Sequence, residues 1–385
     1  MRTPHQTVID RSNTINRFFN AAFTEITISK PDFEPAKIQE HPLMVACTHR
    51  SQVDYFLGGV VLFNKGFTNM RFAAGDNLTK LPVIGNIFKG FGAFTVERDI
   101  GFERNYIKKL CTKVIEMMEK KEAVIVFPEG GRSYINSMLE LKSGIIGAAV
   151  LLQARLPDED VFFLPMAISY ECPPDAPWFS MLLRGKKLRK KTQPFFKRLL
   201  GNLLYYGADL LAFVPFITAR KTGRKYGAVF IDFDTPVAIR SIVDVEANKA
   251  ADAKDEFFAH RASMQKVANF IAGRFFALYR ILPIHLVAAI CKNSSIPTVA
   301  EVEAGIPSLL EKLRADARNN RSLDGLSPAK ITELGMRQLE RLNIVSRTGG
   351  RIIIHKRTLL EYCAAPLDDA SPSTGEQQEG HGNVI

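Results

Sequence analysis

The chain has 385 residues, of which 46% are hydrophobic, and it carries a formal net charge of +11. This is enough for one large core plus a smaller one, and the five widely spaced cysteines, with no C-x-x-C pair, argue against a disulfide framework and a cysteine zinc site. The positive charge favours an acidic partner, such as nucleic acid, an anionic membrane surface or a phosphorylated substrate, without choosing among them.

From about Pro42 the pattern alternates between predicted strands and predicted helices. Short apolar runs predict buried strands, and amphipathic runs at helical spacing predict helices. The predicted strands cover 43–48, 70–75, 93–97, 123–128, 161–169 and 226–237, and the predicted helices cover 51–63, 81–92, 103–121 and 143–156. This order predicts an α/β domain over residues 41–244, with a mostly parallel central sheet flanked by helices on both faces. Residues 1–40 are predicted to be an N-terminal helical segment.

Residues 178–220 are an unusual insert within that domain. A cationic run at 184–191 precedes a largely apolar run at 199–218, which Asp209 and Pro215 interrupt. A charged residue at a bilayer centre costs about 3 kcal/mol, which argues against a membrane-spanning helix. We expect instead a basic, amphipathic element that lies on the cytoplasmic face of a membrane, and the N-terminus predicts no secretory signal. The alternative is a solvated basic loop followed by a buried helix.

Residues 245–365 are predicted to be a helical C-terminal region. Within it, the order helix, hairpin, helix over 326–363 fits a winged helix, which keeps nucleic-acid binding open as an alternative. The polar tail at 366–385 is predicted to be disordered.

His49 follows a predicted strand, and Asp54 lies in the first turns of the next predicted helix. A turn between them would let the carboxylate accept the Nδ1–H of the imidazole, which fixes the tautomer and leaves Nε2 to take a proton. Among seven histidines and many acids this spacing is weak evidence by itself. The alternative is a capping aspartate beside a polar loop histidine.

A glycine turn follows the strand predicted at 123–128. Gly130 and Gly131 let the backbone approach a ligand and aim N–H groups at an anion, and Arg132 supplies a planar cation suited to phosphate. Glu129 in the same turn is expected to hold Arg132 or a substrate hydroxyl. The alternative is an ordinary strand-to-helix turn with a surface salt bridge.

Two further stretches also end predicted strands. "FAAGDNLTK" (72–80) is followed by Arg98, and "FLPMAISYE" (163–171) contains Pro165, which predicts an edge strand or an irregularity that faces a pocket. All four stretches fall at the C-terminal ends of predicted strands, where ligands bind in open α/β sheets. We therefore expect their side chains to share one site.

The stretches "THRSQVDYF", "AAGDNL…GAFTVERD", "FPEGGRS" and "LPMAISYE" occur in the order and spacing of four acyltransferase blocks, the first with its H-x4-D motif. They resemble the blocks of the glycerolipid acyltransferases, closest to the glycerol-3-phosphate and dihydroxyacetone-phosphate branch. The resemblance extends from about Pro42 to Ala365, and the paired first and third blocks are its most specific part.

The resemblance implies a role for each residue that matches a block. His49 is implied as the general base and Asp54 as the acid that orients it. The implied substrate-binding residues are Arg50, Ser51, Gly75, Asn77, Arg98, Glu129, Gly130, Gly131, Arg132, Ser133, Lys142 and Pro165. Glu97 stands where the family usually has an arginine pair, and Tyr134 replaces an arginine often found there. These departures bear on the acceptor more than on the type of reaction.

The activity implied is direct transfer of a fatty acyl group from a thioester, either acyl-CoA or acyl carrier protein, to the hydroxyl of glycerol 3-phosphate, an early step of phospholipid synthesis. No acyl-enzyme is needed, because no Ser or Cys lies in a motif with its own base. The expected partners are the thioester, a phosphorylated glycerol acceptor and a membrane surface. No metal, organic cofactor or nucleic acid is expected.

Three alternatives remain open at this point. A lysophosphatidate or other lysophospholipid acyltransferase would share the catalytic residues and differ in its acceptor pocket. A basic nucleic-acid-binding protein would account for the charge but would leave the glycine turn unexplained. A membrane scaffold with an inactive acyltransferase fold would hold the side chains of His49 and Asp54 apart.

Overall fold

The structure is a computed structural model, and its described residues are 16–75, 79, 84–97, 104–188, 194–211, 214–223, 225–244, 256–294 and 296–369. Within them the strands are β1 (Glu25–Ile28), β2 (Leu43–Cys47), β3 (Met70–Gly75), β4 (Ala93–Val96), β5 (Ala123–Val126), β6 (Phe162–Tyr170), β7 (Ala228–Phe233), β8 (Val237–Ala238), β9 (Val345–Thr348) and β10 (Arg351–Ile354).

The helices of the first part are α1 (Pro35–Ile38), α2 (Asp54–Asn64), α3 (Ile84–Gly90), α4 (Arg104–Glu119), α5 (Ser143–Arg155), α6 (Phe179–Leu188), α7 (Phe195–Leu211) and α8 (Val214–Thr222). Those of the second part are α9 (Glu256–Ala259), α10 (Arg261–Leu278), α11 (Pro283–Lys292), α12 (Val299–Ala315), α13 (Pro328–Arg341) and α14 (Arg357–Ala364).

Strands β1 to β8 form one central sheet in the described part of the chain, in the order β1-β7-β6-β2-β5-β3-β4, with β8 also paired to β6. The pairs β1–β7, β2–β5, β2–β6, β3–β4 and β3–β5 are parallel, and only β7 and β8 run antiparallel to β6. The predicted α/β class with a mostly parallel sheet is therefore confirmed.

The central strands are buried on both faces, which explains their continuous apolar sequence. On one face Val45 of β2 joins a core that includes Leu57 of α2. On the other face Met44 joins a second core that includes Val114 of α4 and Ile146 of α5. Because successive strand residues point to opposite faces, one short strand anchors helices on both sides.

The sheet reaches further toward the N-terminus than the sequence predicted. Strand β1, whose sequence EITI alternates polar and apolar residues, lies in the segment predicted to be helical and pairs in parallel with β7. The strand predicted at 226–237 is also divided into β7 and β8. The break falls at Asp234 and Pro236, where a proline has no N–H to donate to a ladder.

The insert at 178–220 contains α6, α7 and the start of α8. Several large apolar side chains on these helices are exposed, led by Phe196 (81%), Phe195 (69%) and Leu199 (57%). Among the described residues, no helix combines the length and the apolar character needed to cross a membrane.

The C-terminal region has the predicted helix, hairpin, helix order in α13, β9, β10 and α14. Thr298, just before α12, forms a bridge with Arg351 of β10, which adds a third short strand segment to the hairpin. This is the element order of a winged helix. Part of the surface of α13 lines a cleft between this helix and the central sheet. Leu334 and Arg337 of α13 and Phe230 of β7 all line this cleft.

Candidate active site

His49 and Asp54 meet in a buried turn at the C-terminal end of β2. The His49 Nδ1 and Asp54 Oδ2 atoms are 3.0 Å apart, and the two side chains are 1% and 0% exposed. Asp54 is the first residue of α2, so the helix starts by turning the carboxylate back toward the loop. Its Oδ2 also accepts the backbone N–H of Arg50 (2.7 Å) and of Ser51 (2.8 Å). The predicted contact between imidazole and carboxylate is present.

A third side chain, Tyr170 at the end of β6, completes the surroundings of Asp54. Its hydroxyl donates to Asp54 Oδ1 at 2.5 Å. Burial raises the pKa of Asp54 to about 6, while hydrogen bonds from Tyr170, Ser51 and Arg50 hold it down. Burial and the neighbouring carboxylate likewise raise the pKa of the Tyr170 phenol, so it remains a proton donor. The Asp54 carboxylate is thus kept ionised near neutral pH by hydrogen-bond donors and by the nearby charge of Arg50, in a buried site.

Two aromatic rings hold the imidazole of His49 in place. Phe127 stacks on it with ring centroids 4.3 Å apart and planes at 29°, and Tyr55 meets it edge-on at 5.0 Å. Both rings restrict rotation of the imidazole and shield it from water. The orientation of His49 therefore depends on packing as well as on Asp54.

Glu129, in the glycine turn, forms a buried ion pair with Arg50. Arg50 Nη1 lies 2.7 and 2.8 Å from the two carboxylate oxygens, and both side chains are at most 1% exposed. Burial works against the charge of Arg50, but Glu129 together with Tyr279 and Tyr362 raises the pKa of the guanidinium. Glu129 also accepts the backbone N–H of His49 at 3.1 Å. The partner of Glu129 is therefore Arg50, and the expected contact with Arg132 is absent from the described hydrogen bonds, because the side chain of Arg132 turns to another loop.

Arg132 pairs with Asp175, a residue in the loop after β6. Arg132 Nη1 and Asp175 Oδ2 are 3.1 Å apart, and the two side chains are 2% and 1% exposed. Asp175 also accepts the Ser51 hydroxyl at 2.6 Å and the Gln52 N–H at 3.0 Å. Burial raises the pKa of Asp175, and the Arg132 charge opposes that rise. One carboxylate thus ties the first and third blocks to the loop that follows the fourth.

The glycine turn lies against the histidine loop. The Ser133 N–H donates to the His49 carbonyl at 3.0 Å, and the Ser133 hydroxyl donates to the Ser137 carbonyl at 2.5 Å. Gly130 has a φ of +69°, a conformation that suits glycine, and its N–H donates to the Phe127 carbonyl at 3.0 Å. That N–H is consequently occupied by the turn itself.

Gly131 and Lys142 face more open space. A side chain added at Gly131 would meet no atom within 4 Å, and no backbone carbonyl of the described residues accepts its N–H. The stem of Lys142 passes over Gly130, 3.0 Å from where a Cβ would lie, and Lys142 itself is exposed. A cation and an unoccupied backbone donor therefore flank the turn.

Of the remaining predicted residues, Gly75 and Pro165 lie in strands of the central sheet, and the other two lie outside the described residues. Gly75 ends β3. Pro165 lies within β6, which is an interior strand, so the predicted edge is wrong. It falls at an irregularity, the other predicted possibility, between the residues that pair with β8 and those that pair with β7. A proline fits this gap because no ladder donor is required there. Asn77 and Arg98 lie outside the described residues.

Tyr170 and Asp175 are the two site residues that sequence reasoning missed. Tyr170 was visible as a polar ring at the end of an apolar strand, a position that favours a hydrogen-bonded hydroxyl. Asp175 makes its contacts to residues 43 and 124 positions away in the chain, and no local pattern signals such contacts.

Among the described residues, no group of three or more His, Cys, Asp or Glu side chains is placed to hold a metal ion. The chemistry that this arrangement supports uses an oriented imidazole as a proton acceptor next to a backbone donor and a cation. Such a set suits the attack of a hydroxyl on a carbonyl carbon.

Comparison with known proteins agrees with this geometry. Residues 26–169 match the family model described as Acyltransferase. The chain is 25% identical over 344 residues to a glycerol-3-phosphate acyltransferase of Xanthomonas campestris, covering 87% of this chain and 34% of that protein. It is 25% identical over 359 residues to the protein of that name from Pseudoalteromonas atlantica, covering 89% of this chain and 41% of the relative.

A glycerol-3-phosphate acyltransferase of Pseudomonas fluorescens is 26% identical over 232 residues, which cover 60% of this chain and 25% of that protein. The chain spans about a third of the length of the first of these curated relatives. The matched region contains the first, second and third blocks and the start of the fourth up to Ser169, so it includes His49, Asp54 and the glycine turn. The domain at residues 26–169 therefore matches the acyltransferase family model, and the chain is similar to the glycerol-3-phosphate acyltransferases over most of its length.

Proposed function

We propose that this protein transfers a fatty acyl group from a thioester to the hydroxyl of glycerol 3-phosphate. The observation that carries the proposal is the buried contact of 3.0 Å between His49 Nδ1 and Asp54 Oδ2, beside the glycine turn. The similarity to glycerol-3-phosphate acyltransferases supports the choice of acceptor.

In this mechanism His49 Nε2 takes the proton of the acceptor hydroxyl as its oxygen attacks the thioester carbonyl. Asp54 accepts the Nδ1–H and stabilises the imidazolium that forms, and the proton passes to the thiolate that leaves. General base assistance of this kind contributes about 10² to 10⁴ in rate. The hydrogen bonds that Asp54 accepts from Tyr170, Arg50 and Ser51 keep it ionised for this role.

The oxyanion of the tetrahedral intermediate requires donors that are not already in use. The Gly130 N–H is committed to Phe127, so we assign the role to the Gly131 N–H. One such donor contributes roughly 3 kcal/mol to transition-state stabilisation.

The acceptor phosphate requires cations near the turn. Lys142 is exposed and passes over Gly130, which favours it as a phosphate contact. Arg132 lies in the same turn, but its charge is already balanced by Asp175, so it would act mainly by fixing the loop. Arg50 is engaged with Glu129 in the same way and would hold the first and third blocks together.

The donor and the product carry long acyl chains, and the helices α6 to α8 suit contact with a membrane. Phe195, Phe196 and Leu199 are exposed next to the cation Lys197, the mixture that an interfacial helix presents to anionic lipid. We propose that this surface lies on the cytoplasmic face of a membrane without crossing it.

The test is thiol release from palmitoyl-CoA in detergent micelles. Glycerol 3-phosphate and its 1-acyl form are compared as acceptors. Palmitoyl-CoA and the palmitoylated acyl carrier protein are compared as donors. Faster turnover with glycerol 3-phosphate supports the proposal, and faster turnover with the 1-acyl form identifies a lysophosphatidate acyltransferase instead. Lys142→Ala should raise the KM for the phosphorylated acceptor at least tenfold and leave the KM for the thioester within twofold. Equal changes in both values would contradict the role of Lys142.

A further inference from the structure

A cavity of about 390 Å³ lies between the edge of the central sheet and the C-terminal region, away from His49 and Asp54. Its lining includes Glu25 of β1, Glu171 just after β6, and the α13 residues Arg337, Gln338 and Arg341. Small-molecule sites typically have volumes of about 300 to 1,000 Å³. The cavity is therefore large enough for a compact ligand of its own.

The two walls of this cavity carry opposite charges, and no ion pair joins the two walls in the described structure. Arg337 and Arg341 lie one turn apart on α13, and in the part of the chain that the structure describes neither forms an ion pair within 4.0 Å. Burial raises the pKa of Glu171 on the facing wall, and the charges of Arg341 and Arg337 oppose that rise. The arginines are thus near enough to act on the carboxylate through space, while the cavity keeps them from direct contact.

Gln338 adds an amide N–H group that has no hydrogen-bond partner among the described residues. Its side chain is 3% exposed, lines the cavity, and its Nε2 makes no hydrogen bond in the described structure. A buried amide of this kind destabilises the fold unless a ligand or a water molecule accepts its hydrogen.

The space near this amide depends on Gly227. A Cβ at Gly227 would lie 2.3 Å from both Gln338 Nε2 and Glu171 Oε2, and the residue has a φ of +93°. Any larger residue at 227 would have to push both of these polar groups aside. Glycine therefore keeps the amide and the carboxylate side by side.

We propose that this cavity binds a small zwitterion that carries a phosphate group and an ammonium group. The phosphate would lie against Arg337, Arg341 and the Gln338 amide, all of which are donors. The ammonium would lie against the carboxylates of Glu171 and Glu25. A ligand with both charges completes both walls at once, whereas a simple anion would leave the negative charges of the two carboxylates without a cation.

The cavity is separate from the proposed acyl transfer site, although the two are connected through β6. Tyr170, which donates to Asp54, immediately precedes Glu171, and its carbonyl contacts His285 Nε2 at 3.2 Å. Binding at the cavity can be measured without acyl transfer, so the two proposals can fail independently.

The test is calorimetric titration of the full chain with phosphoethanolamine, inorganic phosphate and ethanolamine. We expect phosphoethanolamine to bind about tenfold or more tightly than either fragment. Arg341→Glu should weaken its binding at least tenfold. Lys330→Glu is the matched control, because it makes the same charge change at an exposed position on α13. Lys330 pairs with Glu333 and does not line the cavity. This control should leave binding of phosphoethanolamine within twofold.

Glu171→Gln gives an independent check that keeps an acceptor for the Ala228 N–H, which Glu171 now accepts at 2.8 Å. This variant should bind phosphoethanolamine no better than inorganic phosphate. Equal affinity of the wild type for these two probes would overturn the zwitterion assignment. Absence of binding at millimolar concentration, or equal weakening by Arg341→Glu and Lys330→Glu, would overturn the site itself.

Discussion

Replacement of Tyr170 by phenylalanine tests how the proposed catalytic pair is tuned. The substitution keeps the buried ring and removes only the hydroxyl that donates to Asp54 Oδ1 at 2.5 Å. Among the groups that hold down the pKa of Asp54, which is about 6, this hydroxyl has the largest effect. Its loss must therefore raise that pKa further.

The size of the shift follows from the strength of the lost hydrogen bond. A bond to a charged group is worth about 1.5 to 3 kcal/mol, and one pKa unit corresponds to about 1.4 kcal/mol, so the pKa should rise by about one to two units. Protonation removes the negative charge of the His49–Asp54 pair whichever residue holds the proton, so loss of a donor favours the protonated pair in both cases. The acid limb of the activity profile must move to higher pH.

The assay is initial rate of thiol release as a function of pH, from 5 to 9. The ionised fraction of the His49–Asp54 pair sets the activity of Tyr170→Phe relative to wild type. This activity should be lower by about 5- to 50-fold at pH 6 and by at most about fourfold at pH 7.5. Tyr362→Phe is the matched control, because Tyr362 is also buried but its hydroxyl has no hydrogen-bond partner in the described structure. A loss of activity that is uniform across pH, or an acid limb that shifts equally in both variants, would refute this reasoning.

Two further predictions concern stability and membrane contact. Arg50→Met leaves the Glu129 carboxylate buried without its cation, so the free energy of unfolding in urea should fall by about 3 to 5 kcal/mol; a loss below about 1 kcal/mol would show that the ion pair is not needed. The double substitution Phe195→Ser and Phe196→Ser should weaken cosedimentation with anionic vesicles at least tenfold, since each exposed ring contributes about 1.5 to 3 kcal/mol when buried in lipid. Ile353→Ser, at an exposed position of the C-terminal hairpin, is the control, and an equal effect of that change would contradict a role for α7.

The sheet and its helices could be predicted from the sequence because each element carries a strong local pattern. Strand β2 is apolar throughout and buried on both faces, and α4 has a clear helical periodicity of apolar residues. The edge strand β1 was missed because only four residues alternate there, and its pairing partner lies about two hundred residues later in the chain. Non-local pairing of a short strand leaves no local trace.

The candidate site divides in the same way. The contact between His49 and Asp54 could be predicted because five residues, with a turn and a helix start, fix their relative position. The partner of Glu129 could not be predicted, because both Arg50 and Arg132 belong to the recognised blocks. Only the packing of the two loops decides which arginine contacts Glu129. The positions of Tyr170 and Asp175 likewise depend on how β6 lies beside β2.

The most direct test of the central proposal compares wild type with His49→Ala in thiol release from palmitoyl-CoA with glycerol 3-phosphate. His355→Ala is the control, because His355 is exposed and its Nε2 contacts Ser346 in the C-terminal hairpin. If His49 is the general base, its loss should lower the rate by about 10² to 10⁴ while the control retains wild-type activity. Equal rates in an active wild type and in His49→Ala would contradict the proposed mechanism.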